Sequence, residues 1–406
     1  MFRKRVGTFA AVVVALGATV AEAQPPPTPP MMMLPDPAAL DETSDELTPL
    51  NGPLSAPAAE MQGVLAPGAA GVERVLEWPR WFAGASGLVM TRTLPSGATT
   101  SILPGTGAVL STSDASATWP GGVDLRLGRW FGAQQRHAVE LIYWGVYNMG
   151  SAATVTDSNN GLDAVPQAPG VTVGGQPAAA FLANARSQQI ARSDLVNDIE
   201  INWVVAPWGR PEYRTAADRP VTLMWLMGFR FFELQDVLTM TSLAGTAPPG
   251  STFGVNGGAD QLAFNVATNN NLYGGQIGGK FDWHFLPNVR LSVVKKFMLA
   301  GNSITNTSTM AGGNETTAAF AGGSPVQVHS TAGTVSYLGS IDAAVAWDIT
   351  RHWSLFGGYR VVGVGNVAQA DQSWPVTVSS PGSLTAIDPA GSTLIHGAFA
   401  GFEGRY

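Results

Sequence analysis

Ten stretches of this chain alternate apolar and polar residues with a period of two: 80–92, 121–131, 136–149, 192–206, 219–233, 270–286, 288–302, 333–349, 351–366 and 393–406. In YGGQIGGKFDWHF one set is Tyr273, Gly275, Ile277, Gly279, Phe281, Trp283 and Phe285; the other carries Gln276, Lys280, Asp282 and His284. A strand shows its two sets to opposite faces, whereas a helical period would scatter these charges all round. The connections narrow the choice further. Residues 93–120, 150–191, 234–269, 303–332 and 367–392 are long and rich in Gly, Ser, Thr, Ala and Asn; 132–135, 207–218, 287 and 350 are short. Long and short alternate, so every long loop falls at one end of the strands. A soluble sandwich has no reason for that asymmetry; a membrane barrel has short periplasmic turns and longer external loops. The expected fold is all-β, a transmembrane antiparallel up-and-down β-barrel of about ten strands, preceded by a disordered N-terminal tail.

In such a barrel the apolar set meets the lipid bilayer and the polar set faces the lumen. Closure is needed because an unsatisfied backbone group in hydrocarbon costs several kcal/mol. Trp81, Trp203, Trp283, Trp347 and Trp353 all lie on the apolar face near the short turns, where an aromatic girdle is expected because indole is apolar with one polar N–H. The glycines of GGQIGG lie inside a strand and precede no helix, so they read as close curvature of the wall rather than a phosphate loop.

The chain begins MFRKRVGTFAAVVVALGATVAEAQ, with Arg3, Lys4 and Arg5 before an apolar run and an Ala21-Glu22-Ala23 exit. This pattern predicts a signal peptide over 1–23. Residues 24–77 are Pro-rich and predict a periplasmic linker, with MMMLP as one apolar knot that could dock into the barrel; 78–406 would form the outer-membrane barrel. Cleavage would take the formal net charge from −7 to −9, which opposes a nucleic-acid partner. There is no cysteine, so disulfides and thiolate zinc sites are excluded. No later segment offers about 20 unbroken apolar residues for a helical span. No cofactor or metal motif is found.

The last segment, LIHGAFAGFEGRY, places Phe402 and Tyr406 on one face and ends on an aromatic. This is similar to the C-terminal signal by which outer-membrane proteins engage the barrel assembly machinery, a partner that could add a strand to an exposed edge. GGVDLRLGRWF at 121–131, WLMGFRFFEL at 225–234, NNLYGGQIGGKFDW at 270–283 and SYLGSIDAAVAWDITRHWSLFGGYRVVGVGNVA at 336–368 resemble a planctomycete-type family of porin-like outer-membrane β-barrel proteins of undefined activity. The resemblance covers most of 80–406. It implies location and fold, with DVLTMTS and QLAFNVAT extending the fifth and sixth strands beyond the membrane, and brings no catalytic or ligand residues.

The polar face supplies Arg126, Arg230, Lys280, Arg290, Lys296, Arg360 and Arg405 against Asp124, Glu140, Asp194, Asp198, Glu200, Asp282, Asp342, Asp348 and Glu403. Near balance in a lumen that ten strands almost fill predicts crossed ion pairs and at most a narrow wet path. The role expected is therefore structural or narrowly porin-like; the alternative is an adhesin or ligand-binding barrel acting through its five external loops on a small solute or surface ligand. Asp282 and His284 share a face but read as a structural pair, so no enzymatic activity is expected. A surface lipase would need a Ser–His pair facing lipid, and no His is expected on the apolar face. Lys295 breaks the pattern by falling on the lipid side, to be resolved by snorkelling or by a bulge near Val294. Arg129 falls there too, close to the turn boundary.

Overall fold

A computed structural model describes residues 79–406 apart from 96, 133, 209–219, 248–252, 254–258 and 314–315. The expected signal peptide and linker lie outside these residues. Ten long strands are present among them: β1 Trp81–Arg92, β2 Gly121–Phe131, β3 His137–Tyr147, β4 Ser187–Val205, β5 Val221–Leu243, β6 Gln261–Leu286, β7 Val289–Gly312, β8 Gln327–Asp348, β9 Trp353–Val367 and β10 Gly391–Arg405. Each pairs antiparallel with the next, and β10 returns to β1 with Phe82 opposite Arg405 and Arg92 opposite Ile395. The seam ends in two backbone bonds between Trp81 and Tyr406, 2.9 and 2.8 Å. The ring of ten long strands is thus closed, which removes the template for aggregation that an open sheet presents. No described helix is long and apolar enough to cross a membrane; the strands do it.

The alternation read from β6 holds in three dimensions. Ile277 is 66% exposed on the outside and Asp282 0% exposed on the inside. Trp81, Trp203, Trp283, Trp347 and Trp353 are all exposed on the outer face at the turn end, joined by Trp225. Tyr147, Tyr273, Tyr337 and Tyr359 make a second exposed aromatic belt toward the loops. From Tyr273 to Trp283, a strand tilted by about 40° and rising about 3.4 Å per residue climbs roughly 25 Å, the height of a hydrocarbon band. Phe402 and Tyr406 face outward with the lower belt. On the inner face, a methyl group on Gly274 or Gly278 would land on the carbonyls of Leu299 and Lys295 in β7, so close approach of neighbouring strands demands glycine at both.

The strands differ most from expectation at the loop end. β1 to β3 have 11 or 12 residues, whereas β4 to β8 have 19 to 26. The extension of β5 and β6 agrees with the family resemblance. β7 and β8, expected to give way to a loop over 303–332, instead continue to Gly312 and resume at Gln327. Beyond the tyrosine belt the outer face no longer needs apolar residues. Ser303, Thr305, Thr307 and Thr309 sit outside while Ile304, Asn306, Ser308 and Met310 sit inside; polar residues on both faces hide the alternation. A short strand, Ala152–Thr156, adds to the start of β4. The loops fold inward: Leu110, Val171, Phe181, Phe320 and Val378 form one buried cluster with Leu238, Met240, Phe264 and Met310 of the tall strands.

Lys295 needs no bulge. β6 and β7 pair without a break from Leu262 to His284, Gly279 standing opposite Lys295, so the ammonium points outward and must reach along the wall toward a headgroup. Lys295→Leu is expected to raise stability by about 2 kcal/mol, the usual cost of a lysine toward the bilayer middle. A rise in the urea midpoint of the compact, heat-modifiable band checks it; a fall would show that Lys295 has a partner in the bilayer. Arg129 also points outward, over the Trp81 and Phe131 rings at 5.1 and 5.4 Å. One expectation fails: His137 and His396 are both on the outer face. His137 accepts from Trp203 Nε1 at 3.3 Å, and His396 Nδ1 meets the Tyr359 hydroxyl at 2.6 Å. Both stand at a boundary belt, where a ring with polar nitrogens is as well placed as tyrosine.

Candidate functional site: a layered barrel interior

Inward-facing residues form layers, because the sense of alternation is fixed while residue type changes along each strand. The turn half holds the charges expected from sequence. Arg126 Nε lies 3.1 Å from Glu140. Arg230 binds Asp198 at 2.6 Å and stands 3.8 Å from Glu200, which Lys296 holds at 2.7 Å. Arg360 spans from β9 to Asp124 on β2 at 2.8 Å and also grips Asp342 at 2.9 Å. Nearer the turns, Arg290 meets Asp348 at 2.9 Å and Glu403 at 3.9 Å, and Arg405 meets the same two at 3.3 and 3.1 Å. Lys280 is 3.5 Å from Asp282. Gln276 and Asn202, on the same face, complete the shell of Glu200 with bonds of 2.9 Å each. Asp282 and His284 both point inward and are buried, but they are two residues apart on one strand among basic partners. Among the described residues no group of three His, Asp or Glu is placed to hold a metal.

Above these charges lies a layer that charge-based reading of the lumen missed. Leu88, Met90, Ile142, Trp144, Val196, Phe232, Leu234, Leu272, Met298, Leu338, Val362 and Ile395 are all buried in one cluster across the bore. Trp144 and Phe232 meet with ring centroids 6.2 Å apart. Arg360 lies 5.2 Å under the Trp144 ring and Arg230 6.0 Å from that of Phe232, so the septum rests on guanidinium groups. The signal was in the sequence: Ile142 and Trp144 share parity with Glu140, and Phe232 and Leu234 share it with Arg230. Pairs such as Leu141-Ile142, Tyr143-Trp144 and Phe231-Phe232 put apolar residues on both faces, which marks a wall with lipid outside and packing inside.

Beyond the septum a second buried charge cluster ties the loop end together. Arg92 binds Asp194 at 2.7 Å and Asp236 at 2.9 Å; Arg192 binds Asp236 at 2.7 Å and Asp371 at 2.6 Å. Asp194, expected in the lumen, belongs to this cluster. Arg92, Arg192, Asp236 and Asp371 were not foreseen: Arg92 and Arg192 stand at the ends of the alternating segments 80–92 and 192–206, and Asp236 and Asp371 fall in stretches read as loops. Asp236 also accepts from the Ala370 amide at 3.1 Å, and Asn270 bonds Ala368 through both its groups at 2.8 Å. These bonds fasten the loop between β9 and β10 over the bore.

Below the septum, toward the turns, a two-lobed cavity remains. Its lobes enclose about 720 and 670 Å³ of empty space, open solvent at their mouths included. Phe82, Trp130, Ala138, Met224 and Leu226 wall one lobe; Ala344, Ala346, Phe356 and Phe399 wall the other.

Residues 76–380 match the family described as "Putative beta barrel porin-7 (BBP7)". Among solved structures, the outer membrane protease OmpT of Escherichia coli aligns with a TM-score of 0.42 at 7% identity, over 80% of this chain and 97% of that one. The monoaromatic hydrocarbon channel CymD gives 0.30 at 7% identity, over 81% and 89%. The toluene transporter TbuX of Ralstonia pickettii gives 0.26 at 8% identity, over 81% and 90%. No curated protein matches the chain. With most of its barrel inside the family match, this chain belongs to the beta barrel porin-7 family of porin-like outer-membrane β-barrel proteins.

Proposed function

We propose that this protein is a sealed outer-membrane barrel with a structural role rather than an open pore. Its turn end and N-terminal tail face the periplasm, and its loop end faces outward. The single observation that carries the reading is the apolar septum between two charge layers. An ion crossing it would shed water without finding a polar partner. The crossed ion pairs below support the same role, since a charge already paired within the wall offers little to a passing solute. Long loops at one end and short turns at the other support the orientation, and the outward-facing Phe402 and Tyr406 of β10 support assembly through the barrel assembly machinery.

Planar bilayers test the proposal. The purified protein is expected to stay electrically silent, and Arg230→Gln is expected to change nothing. Steady single-channel steps that shift when Arg230 or Arg360 is neutralised would make it a pore. The alternative, surface binding through the external loops, is favoured by the exposed Trp119 and Val376 on those loops. It is weaker because most apolar loop residues are buried in the cap over the bore.

A further inference from the structure

We infer that the cavity at the turn end is a binding site for a small amphipathic anion, an organic carboxylate or sulfonate with a flat apolar body. Five residues line both lobes and so mark their junction: Arg126, Lys280, Arg290, Val294 and Glu403. Three are cations against one carboxylate. Arg290 is occupied, 2.9 Å from Asp348 and 3.9 Å from Glu403, and Glu403 is held by Arg405 at 3.1 Å. The other two cations are less committed. Arg126 gives Nε to Glu140, yet its side chain stays 25% exposed. The Lys280 side chain is 24% exposed, and the nearest carboxylate, Asp282, is 3.5 Å away and fully buried, beyond a good charge-assisted bond. The two lobes together are lined by five cations and five carboxylates, but the junction between them is cationic.

The chemistry of the walls then selects the ligand. Phe82 and Trp130, with centroids 6.2 Å apart, and Met224 form an apolar surface beside those two cations. A simple inorganic anion would leave that surface wet. A neutral hydrocarbon would strip water from Lys280 without replacing it. A monoanionic aromatic satisfies both, its oxygens on Arg126 and Lys280 and its ring against Phe82 and Trp130. The two lobes leave about 60 and 70 Å³ for the centres of water-sized molecules, room for a few waters each, which limits the ligand to a single small ring. The septum closes the far end, so the site fills and empties from the turn side without transport.

Fluorine NMR on the full chain in detergent micelles tests this with para-trifluoromethylbenzoate against its neutral amide. The benzoate is expected to bind saturably and about tenfold or more tighter than the amide, the worth of one or two charge-assisted bonds. Lys280→Gln should remove most of that preference. Met224→Trp, which fills the apolar lobe and leaves every charge in place, should abolish saturable binding of the benzoate while the protein keeps its heat-modifiable migration. Equal binding of benzoate and amide, unsaturable partitioning, or binding that survives Met224→Trp would each overturn the assignment.

Discussion

Arg192→Met is expected to release the loop between β9 and β10 and to cost the barrel about 3–5 kcal/mol, the usual penalty for removing one member of a buried ion pair. Arg192 binds Asp236 through one nitrogen and Asp371 through another, at 2.7 and 2.6 Å, with all three side chains almost wholly buried. Without it, three carboxylates face Arg92 alone. Proteinase K should then cut within 367–390, and the urea midpoint should fall. An uncut loop and an unmoved midpoint would show that the apolar cap alone holds this end. The same cluster carries a pH signature. Burial pushes the Asp194 carboxyl well above its usual range, with Asp236 alongside adding to it. Burial opposes ionisation of Asp236 too, but Arg92 and Arg192 outweigh it and hold that carboxyl low. Asp194 is therefore the member that takes up a proton first as pH falls. An acid whose folded pKa is raised contributes stability that is complete below its unfolded pKa and lost as pH climbs through the folded one. The cap should loosen in the alkaline direction, above the ordinary carboxylate range, and Asp194→Asn should flatten that dependence while leaving the neutral-pH structure intact.

How much of this was legible in the sequence depends on what each face must satisfy. Where the outside is lipid, every second residue is apolar, and the strands from Trp81 to Phe131 and from Gly391 to Arg405 end within two residues of where alternation puts them. Where the outside is water, as in NSITNTSTM of β7, both faces are polar and strand reads as loop. The lumen charges could be named because a charge inside a barrel wall must face inward. Their partners could not, because Arg360 reaches Asp124 three strands away and only closure sets that distance. The septum was obscured for the opposite reason. Trp144 and Phe232 look like lipid-facing residues until parity is checked against Glu140 and Arg230. His396 was lost in the same way, counted by type rather than by parity with Phe402 and Tyr406.

Opening the septum is the sharpest test of a layered interior. Trp144→Ala with Phe232→Ala removes the two largest rings from its centre; each alone is expected to cost about 3–5 kcal/mol. Their sum should be less than additive, because the rings touch. The chain lacks cysteine, so a single Ala300→Cys reports access at the loop-side edge of the septum, where Ala300 is 3% exposed. In the otherwise unaltered protein that thiol should resist a charged methanethiosulfonate, shielded by the septum below and the cap above. In the double truncation its labelling rate should rise by about two orders of magnitude or more, the change expected when a site buried by a few kcal/mol of packing becomes open. Conduction requires a second opening. The truncated septum still lies beneath the loop cap, so bilayer steps should emerge only when Arg192→Met is added. Steps from the double truncation alone would mean that the cap does not close the bore. Silence and an unreactive thiol in the folded triple variant would mean that the apolar layer is not the barrier, and the septum would lose its place as the observation that carries the sealed-barrel reading.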